Sequence, residues 1–341
     1  MALVTDIFNQ NGWGAIDFHE EIVERTEFRP SLLGGLGIFE PIYSRSRTIG
    51  VQLRGGTMSL IPTSEMGAPP VELDVDSDMV RKFDTVRLAK GSTVWASQLA
   101  GVTALPFEVQ TRDVAAEIAD RTRQILEDLE LTMEYMRFGA VQGKVLDANG
   151  KVIVDWFNFW GIAEPAEVNF ELDKPETDVR KKCRDMKRAM MKAAGGAWTP
   201  GARVGALVGD EFFDLLVNHP QIKETKLGTE RAAALENIQG YSSIEIEDIV
   251  FINYRGTDDG STIAIASDKA RFFPVGLRGA FKCGFSPANE FKPYLNQRGR
   301  EYYGLILPDT SGRDAFDRVE IYSYPLPVAT RPETLRRGKA K

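Results

Sequence analysis

The sequence predicts an α+β fold, and three observations carry that prediction. One helical period runs unbroken over 113–138, period-two alternation lies on both sides of it, and Asn149-Gly150 marks a tight hairpin turn just beyond it. In "DVAAEIADRTRQILEDLELTMEYMRF", Val114, Ile118, Ile125, Leu129, Met133 and Met136 recur at steps that fit 3.6 residues per turn. Asp113 is placed to cap the first turn and Gly139 to end the last. At 1.5 Å per residue such a helix is about 39 Å long, more than most single domains use, so it reads as a spine.

Upstream of the spine the chain changes character twice. Residues 1–47 alternate short apolar pieces with Gly, Pro and charge, and no period lasts long enough to close a core. That segment reads as an arm that needs another surface to lie on. In 48–100, Ile49, Val51 and Leu53 alternate with Gly50, Gln52 and Arg54, and Val71, Leu73 and Val75 alternate with Glu72, Asp74 and Asp76. Between them "PTSEMGAPP" is too rich in Pro and Gly for a regular element. The stretch reads as a long two-stranded excursion, marginal in water by itself and expected to lie on a neighbour.

Downstream, Val145-Leu146 and Val152-Ile153-Val154 flank "DANG", whose Asn-Gly pair tolerates the positive φ of a hairpin turn. The aromatic run "DWFNFWGI" follows. Asp178–Ala194 reads as a helix stopped by Gly195-Gly196, and "ARVGALVGDEFFDLLVNHP" as a strand entering a helix capped by Asp210. "SSIEIEDIVFINY", "STIAIAS" and "KARFFPVG" read as strands. The final stretch gives one more strand, a Pro-rich segment and the basic "RRGKAK", read as a solvated tail.

Composition and chemistry exclude more than they select. The 341 residues suffice for about two domains of ~100–200 residues. The formal charge of −7 argues against a dedicated nucleic-acid binder. The N-terminus lacks a secretory pattern and no long apolar run occurs, so a soluble, intracellularly made chain with no membrane partner is expected. Cys183 and Cys283 are read as free thiols, although spacing alone leaves one disulfide open. With only His19 and His219, a His-based metal or nucleophile site is not expected. Cys183 sits among Arg180, Lys181, Lys182 and Arg184, which would favour a thiolate, but no Cys-His pair is recognisable. "GGLG" and "GALVGDE" lack phosphate-loop or dinucleotide spacing, and "VELDVDSD" reads as a strand with an acidic face rather than a calcium loop. The basic residues of 180–192 make a solvated face, a salt-bridging subunit contact or a nonspecific DNA contact. No catalytic residue, cofactor or metal is assigned. An arm, a protruding ribbon and a spine without a polar constellation suit a chain that touches copies of itself.

The order of these pieces resembles the phage major capsid proteins of the lambda E type. "LLGGLGIFEP", "TIGVQLRGGTMSLIPTSEMGAPP", the long helix with "GKVLDANGKVIVDWFNFWGI", "RFFPVGLRGAFKCGFSPANEF" and "EIYSYPLPVATRPETL" carry the resemblance over nearly the whole chain. It implies the tailed-phage major capsid fold, Hong Kong ninety-seven-like. Its expected parts are an N-terminal arm at 1–47, an extended loop at 48–100, a peripheral domain at 101–169 and 266–341, and an axial domain at 170–265. The implied function is structural. Hexamers and pentamers would close an icosahedral head around double-stranded DNA, in the virion, from protein made in the host cytoplasm. Implied partners are other copies, a scaffold or protease, a portal, a decoration protein and nonspecifically contacted DNA. Within that frame Arg54, Met66, Arg81, Lys82, Arg331 and Glu333 are the expected subunit-interface residues. Alternatives are a tail-tube or other virion protein, an encapsulin-like compartment shell, and an enzyme of unknown type.

Overall fold

The computed structural model describes residues 16–17, 32–53, 79–95, 107–226, 242–255, 265–309, 311, 313 and 315–341. The chain opens with strand β1 (Ile16–Asp17), a single helical turn α1 (Leu32–Gly35) and β2 (Glu40–Tyr43). β3 (Thr48–Leu53) and β4 (Met79–Asp84) pair antiparallel, with Ile49 opposite Phe83, Gly50 opposite Lys82 and Val51 opposite Arg81. The excursion is therefore a ribbon at its base. The strand expected at 71–75 lies outside the described residues. β5 (Leu88–Trp95) leads toward the spine.

The spine, α2, spans Phe107–Val141, and its 35 residues make it roughly 52 Å long. It overruns both expected ends. Asp113 lies inside the helix, whose run begins six residues earlier. Gly139 also lies inside, and a Cβ there would stand 2.6 Å from the Lys144 carbonyl oxygen. Its glycine is required by the close approach of the next strand, not by a helix stop. The stop is Gly143, which takes φ +85° while its N–H donates to the Ala140 carbonyl at 3.0 Å.

β6 (Lys144–Leu146) and β7 (Val152–Asp155) then form the expected hairpin. Of the Asn149-Gly150 pair only Gly150 takes a positive φ, +76°, and its N–H donates to the Asp147 carbonyl at 2.7 Å. The aromatic run is a short helix, α3 (Trp156–Trp160). Asp155 caps it by accepting from Phe157 N–H at 3.0 Å and Asn158 N–H at 3.2 Å. Trp156, Phe157 and Trp160 are buried, with Phe159 edge-on to both tryptophans.

After β8 (Glu167–Asn169) come α4 (Val179–Ala193), β9 (Arg203–Val208), α5 (Asp210–Asn218) and α6 (Pro220–Lys226). Asp178 precedes α4 as its cap and accepts from Lys181 N–H at 2.9 Å. Gly209, not Asp210, occupies the cap of α5, and the Asp210 carboxylate instead accepts from the Asn253 amide at 2.9 Å. "SSIEIEDIVFINY" divides into β10 (Ser243–Ile246) and β11 (Ile249–Asn253), turned by Glu247 and Asp248 at φ +52° and +61°. Of "STIAIAS", 261–264 lie outside the described residues. β12 (Lys269–Val275), β13 (Phe281–Phe285), β14 (Tyr303–Pro308), β15 (Phe316–Ser323), β16 (Pro325–Ala329) and β17 (Arg336–Lys339) complete the fold.

Two of these correct the reading of the C-terminal stretch. "PLPVA" is a fully buried strand paired with β13, and the basic stretch is no solvated tail. Arg336–Lys339 is β17, inserted between β12 and β8. Gly338 explains why so polar a strand is tolerated inside: a Cβ would meet the rings of Phe170 and Phe272, each at 3.0 Å, so backbone alone fills that slot.

Three larger sheets organise the core. The first has order β10-β11-β9-β12-β17-β8 and takes strands from both sides of residue 265. One of its faces is covered by α4 and α5, burying Val179, Cys183, Met186, Met190, Phe212 and Leu216 against Phe251 and Phe272. A four-stranded sheet, β1-β14-β15-β5, packs Val94, Val319 and Ile321 on Ile118, Ile125, Leu129 and Met133 of α2. The three-stranded sheet β16-β13-β2 joins Leu33, Ile49, Phe83, Met136, Trp156 and Phe273 in the central core. The spine thus touches all three sheets.

Candidate functional site

A chemical centre is the first possibility to test. Among the described residues no group of three His, Cys, Asp or Glu side chains could hold a metal ion. Among them, too, no helix is long and apolar enough to cross a membrane. Cys183 and Cys283 are buried and unbridged, and burial pushes each thiol up to about 12. The basic neighbours of Cys183 therefore yield no nucleophilic thiolate. Basic residues of α4 are engaged within the chain: Lys182 with Glu171 after β8 at 2.6 Å, and Arg184 with Glu247 at 3.2 Å and Lys187 with Asp248 at 2.6 Å at the β10–β11 turn. His219 is buried with its Nε2 3.1 Å from the Lys174 carbonyl oxygen, while His19 lies outside the described residues.

Two features do concentrate polar groups. The first pins the arm to the spine. Glu134 of α2 is fully buried, and its carboxylate accepts from Leu33 N–H at 2.7 Å, Gly34 N–H at 3.2 Å and the Tyr254 hydroxyl at 3.3 Å. Arg137, one turn on, lies 3.7 Å away and also reaches Glu130 at 3.3 Å, whose other oxygen meets the Tyr302 hydroxyl. Burial pushes the Glu134 carboxyl up to about 7, against the pull of the Leu33 N–H, Arg137 and the Gly34 N–H. The expected helix period missed this network because it followed only apolar residues. Its signal was present, since Glu130, Glu134 and Arg137 recur at steps of four and three beside Met133 and Met136.

The second feature is an open groove of about 940 Å³ where the end of α2 and the β6–β7 hairpin face the six-stranded sheet. Lys144, Arg255, Arg271 and Arg337 line it together with Glu164 and Asp210. Glu164 holds Arg337 at 3.0 Å and Lys144 at 3.3 Å, and Asp210 holds Arg255 at 3.4 Å.

The residues expected at subunit interfaces fall in three places. Arg54 and Met66 lie outside the described residues. Arg81 and Lys82 point to opposite faces of the β3–β4 ribbon, as strand alternation requires. Arg81 turns inward, its guanidinium 5.8 Å from the Phe159 ring and 6.0 Å from the Trp160 ring, whereas Lys82 is exposed. Arg331 donates to the Ala194 carbonyl at 3.2 Å beneath the end of α4. Glu333 lies in the middle of the next turn, Pro332–Thr334, its carboxyl raised by burial. The fold brings Arg81 near this C-terminal segment, because Trp160 under it donates to the Ala329 carbonyl at 2.9 Å. Arg331 is thus committed within the chain, and Lys82 is the described member of the set that points outward from the ribbon.

With no reaction centre described, comparison with known proteins becomes decisive. The family model for phage major capsid protein E matches residues 20–340. The chain is similar to the major capsid protein of Salmonella phage Felix O1, 22% identical over 335 residues, covering 89% of this chain and 90% of that protein. It is also similar to the major capsid protein of Pseudomonas phage KPP10, 28% identical over 231 residues, covering 61% and 64%. Among solved structures, the capsid protein assigned to a prophage of E. coli CFT073 aligns over 96% of this chain and 99% of its own, at 13% identity and a TM-score of 0.56. The capsid protein of cyanophage P-SCSP1u aligns over 90% and 86%, at 8% identity and a TM-score of 0.50. At such identities the structural likeness speaks for the fold, and the expected Hong Kong ninety-seven-like architecture is the one found.

Proposed function

This chain belongs to the phage major capsid protein E family, and on that premise we propose that its copies pack as hexamers and pentamers into an icosahedral head around double-stranded DNA. As the major capsid protein of a tailed phage it is a virion structural protein that assembles with itself. The observation that carries the reading is the family match over 20–340, which takes in part of the arm, the ribbon, the spine and every strand but β1. The tail-tube and compartment-shell readings have no comparable support.

Physical features fit that role. A two-stranded ribbon is marginal alone, and here its base is held by Ile49 and Phe83 packed on Gly284 and Trp156. A Cβ at Gly284 would stand 2.6 Å from Ile49 Cδ1, so the ribbon base sits directly on β13. On this reading the loop beyond that base takes its burial from another subunit, which couples folding to assembly. We read the four- and three-stranded sheets with α2 as the peripheral domain. The six-stranded sheet with α4 and α5 is the axial one, so β12 and β17 belong to it. Arg54, Met66 and Lys82 are assigned to subunit contacts of the ribbon, and Arg81, Arg331 and Glu333 to the support beneath it. A scaffold or protease, a portal and a decoration protein are the proposed partners. Synthesis in the host cytoplasm and action by packing, without catalysis, complete the reading.

Deleting 55–78 and joining β3 to β4 through a short turn tests the coupling. The variant should remain folded and soluble yet fail to sediment as shells. Shells of normal stability from that variant would overturn the assignment of the loop.

A further inference from the structure

The groove between the spine's end and the six-stranded sheet holds an electrostatic arrangement that the fold does not itself explain. Among the described residues its lining carries four cations, Lys144, Arg255, Arg271 and Arg337, against two carboxylates, Glu164 and Asp210, in a chain whose net charge is −7. The two carboxylates are already taken by Lys144, Arg337 and Arg255. Glu167, on the neighbouring strand, is held by Lys269 at 3.1 Å. Arg271 is left over: among the described residues its guanidinium makes no hydrogen bond or ion pair.

Register makes the surplus worse. Arg271 of β12 stands directly opposite Arg337 of β17, so two guanidiniums share one rung and one face of the sheet. Like charges set opposite each other on neighbouring strands destabilise a sheet. Arg271 is also half-buried, and burial and Arg337 depress its basicity against the weaker pull of Glu167 and Glu164, neither of which bonds it. A half-buried arginine opposed by a second one and lacking an acceptor is a cost to the isolated subunit. An anion entering the groove would remove it, because a guanidinium fork matches a carboxylate with two parallel hydrogen bonds.

Resting on the shell reading above, we propose that this groove is a docking site for an acidic segment of a second copy of this chain, with Arg271 as the principal receptor for its carboxylate. Three things favour a second copy as the occupant. In a shell the surroundings of each subunit are other copies of it. Those copies carry an excess of seven negative charges, complementary to the groove's excess of two positive ones. Arg271 and Arg337 are half-buried in the groove, and a duplex laid on it would meet Glu164 and Asp210 as well, which disfavours phosphate.

The test is an electron cryo-microscopy map of assembled wild-type shells, paired with the charge reversal Arg271→Glu and the neutral Arg271→Gln. The expected map shows an Asp or Glu of a neighbouring copy within roughly 4 Å of the Arg271 guanidinium. Arg271→Glu should lower shell yield by roughly tenfold or more, the effect of about 1.4 kcal/mol at one contact, and Arg271→Gln by less. Unfolding midpoints of the unassembled variants should be no lower than that of the wild type, since the reversal relieves the opposition to Arg337. A groove open to solvent in the shell, or filled by DNA or by a different protein, overturns the proposal. So does an Arg271→Glu protein that is stable and assembles at wild-type yield. If the wild-type protein forms no shells at all, the shell reading itself has failed.

Discussion

Replacing Glu134 by glutamine probes the joint between the arm and the spine, and the sign of the result can be worked out beforehand. Two influences oppose each other at this carboxyl. Complete burial disfavours the anion, while the N–H groups of Leu33 and Gly34 and the guanidinium of Arg137 favour it. Burial prevails, and the folded-state value is raised from 4.5 to about 7. The folded protein therefore keeps this proton where the unfolded chain has released it. Stability from this group is fully present below pH 4.5 and is lost as pH rises from 4.5 to about 7. At about 1.4 kcal/mol per pH unit the loss is on the order of 3 kcal/mol. The glutamine side chain of Glu134→Gln cannot titrate. Its carbonyl still accepts from one N–H, but its amide sets a donor against the other, a cost of about 1–2 kcal/mol at low pH. The variant should therefore be the less stable protein near pH 4.5 and close the gap, or reverse it, by about pH 7.5. The assay is urea unfolding of the unassembled subunit between those pH values, followed by the fluorescence of the buried Trp156 and Trp160. A difference between the two proteins that stays constant with pH would refute the argument. A wild type that gains on the variant as pH rises would show that the hydrogen-bond donors, not burial, set the protonation of Glu134.

Glycine positions supply a second, paired test. Gly143→Ala places a Cβ 2.2 Å from the Phe157 ring at φ +85°, whereas Gly150→Ala meets nothing within 4 Å at φ +76°. The second should cost about 1–2 kcal/mol from backbone strain alone, and the first several kcal/mol or the fold itself, as read by thermal unfolding. Gly338→Val pushes into the slot between Phe170 and Phe272 and should cost roughly 1–3 kcal/mol in the same measurement. A neutral Gly338→Val would mean that the chain's last strand is not held in the sheet. Leu33→Ala, at a fully buried position beside Glu134, should cost about 2–5 kcal/mol. A loss much below that range would show the arm's turn to be loosely attached.

What the sequence made legible followed from local chemistry. The spine, the 144–155 hairpin and the capped helix after Asp178 each carry a periodic pattern with its own start or stop signal, and all three were found. Boundaries failed where a residue serves a tertiary purpose. Gly139 looked like a helix stop, but it is a contact point for Lys144, and a single sequence does not separate those two uses of glycine. The C-terminal strands β16 and β17 were hidden for a similar reason. Pro325, Pro327 and the arginines of 336–337 disagree with strand propensity, and only their partners β13, β12 and β8 make them strands. Glu134 escaped because a buried carboxylate on a helix looks like an exposed one until Leu33 and Gly34, a hundred residues away, arrive to receive it. The family resemblance was legible because it depends on the order of pieces along the chain, which those local errors do not disturb.

The central claim is that copies of this chain close into a shell. Electron micrographs of the purified protein, produced with its own assembly partners, test it most directly. The account predicts closed icosahedral particles built of five- and six-membered rings. Open tubes, or a protein that stays unassembled under those conditions, would contradict it.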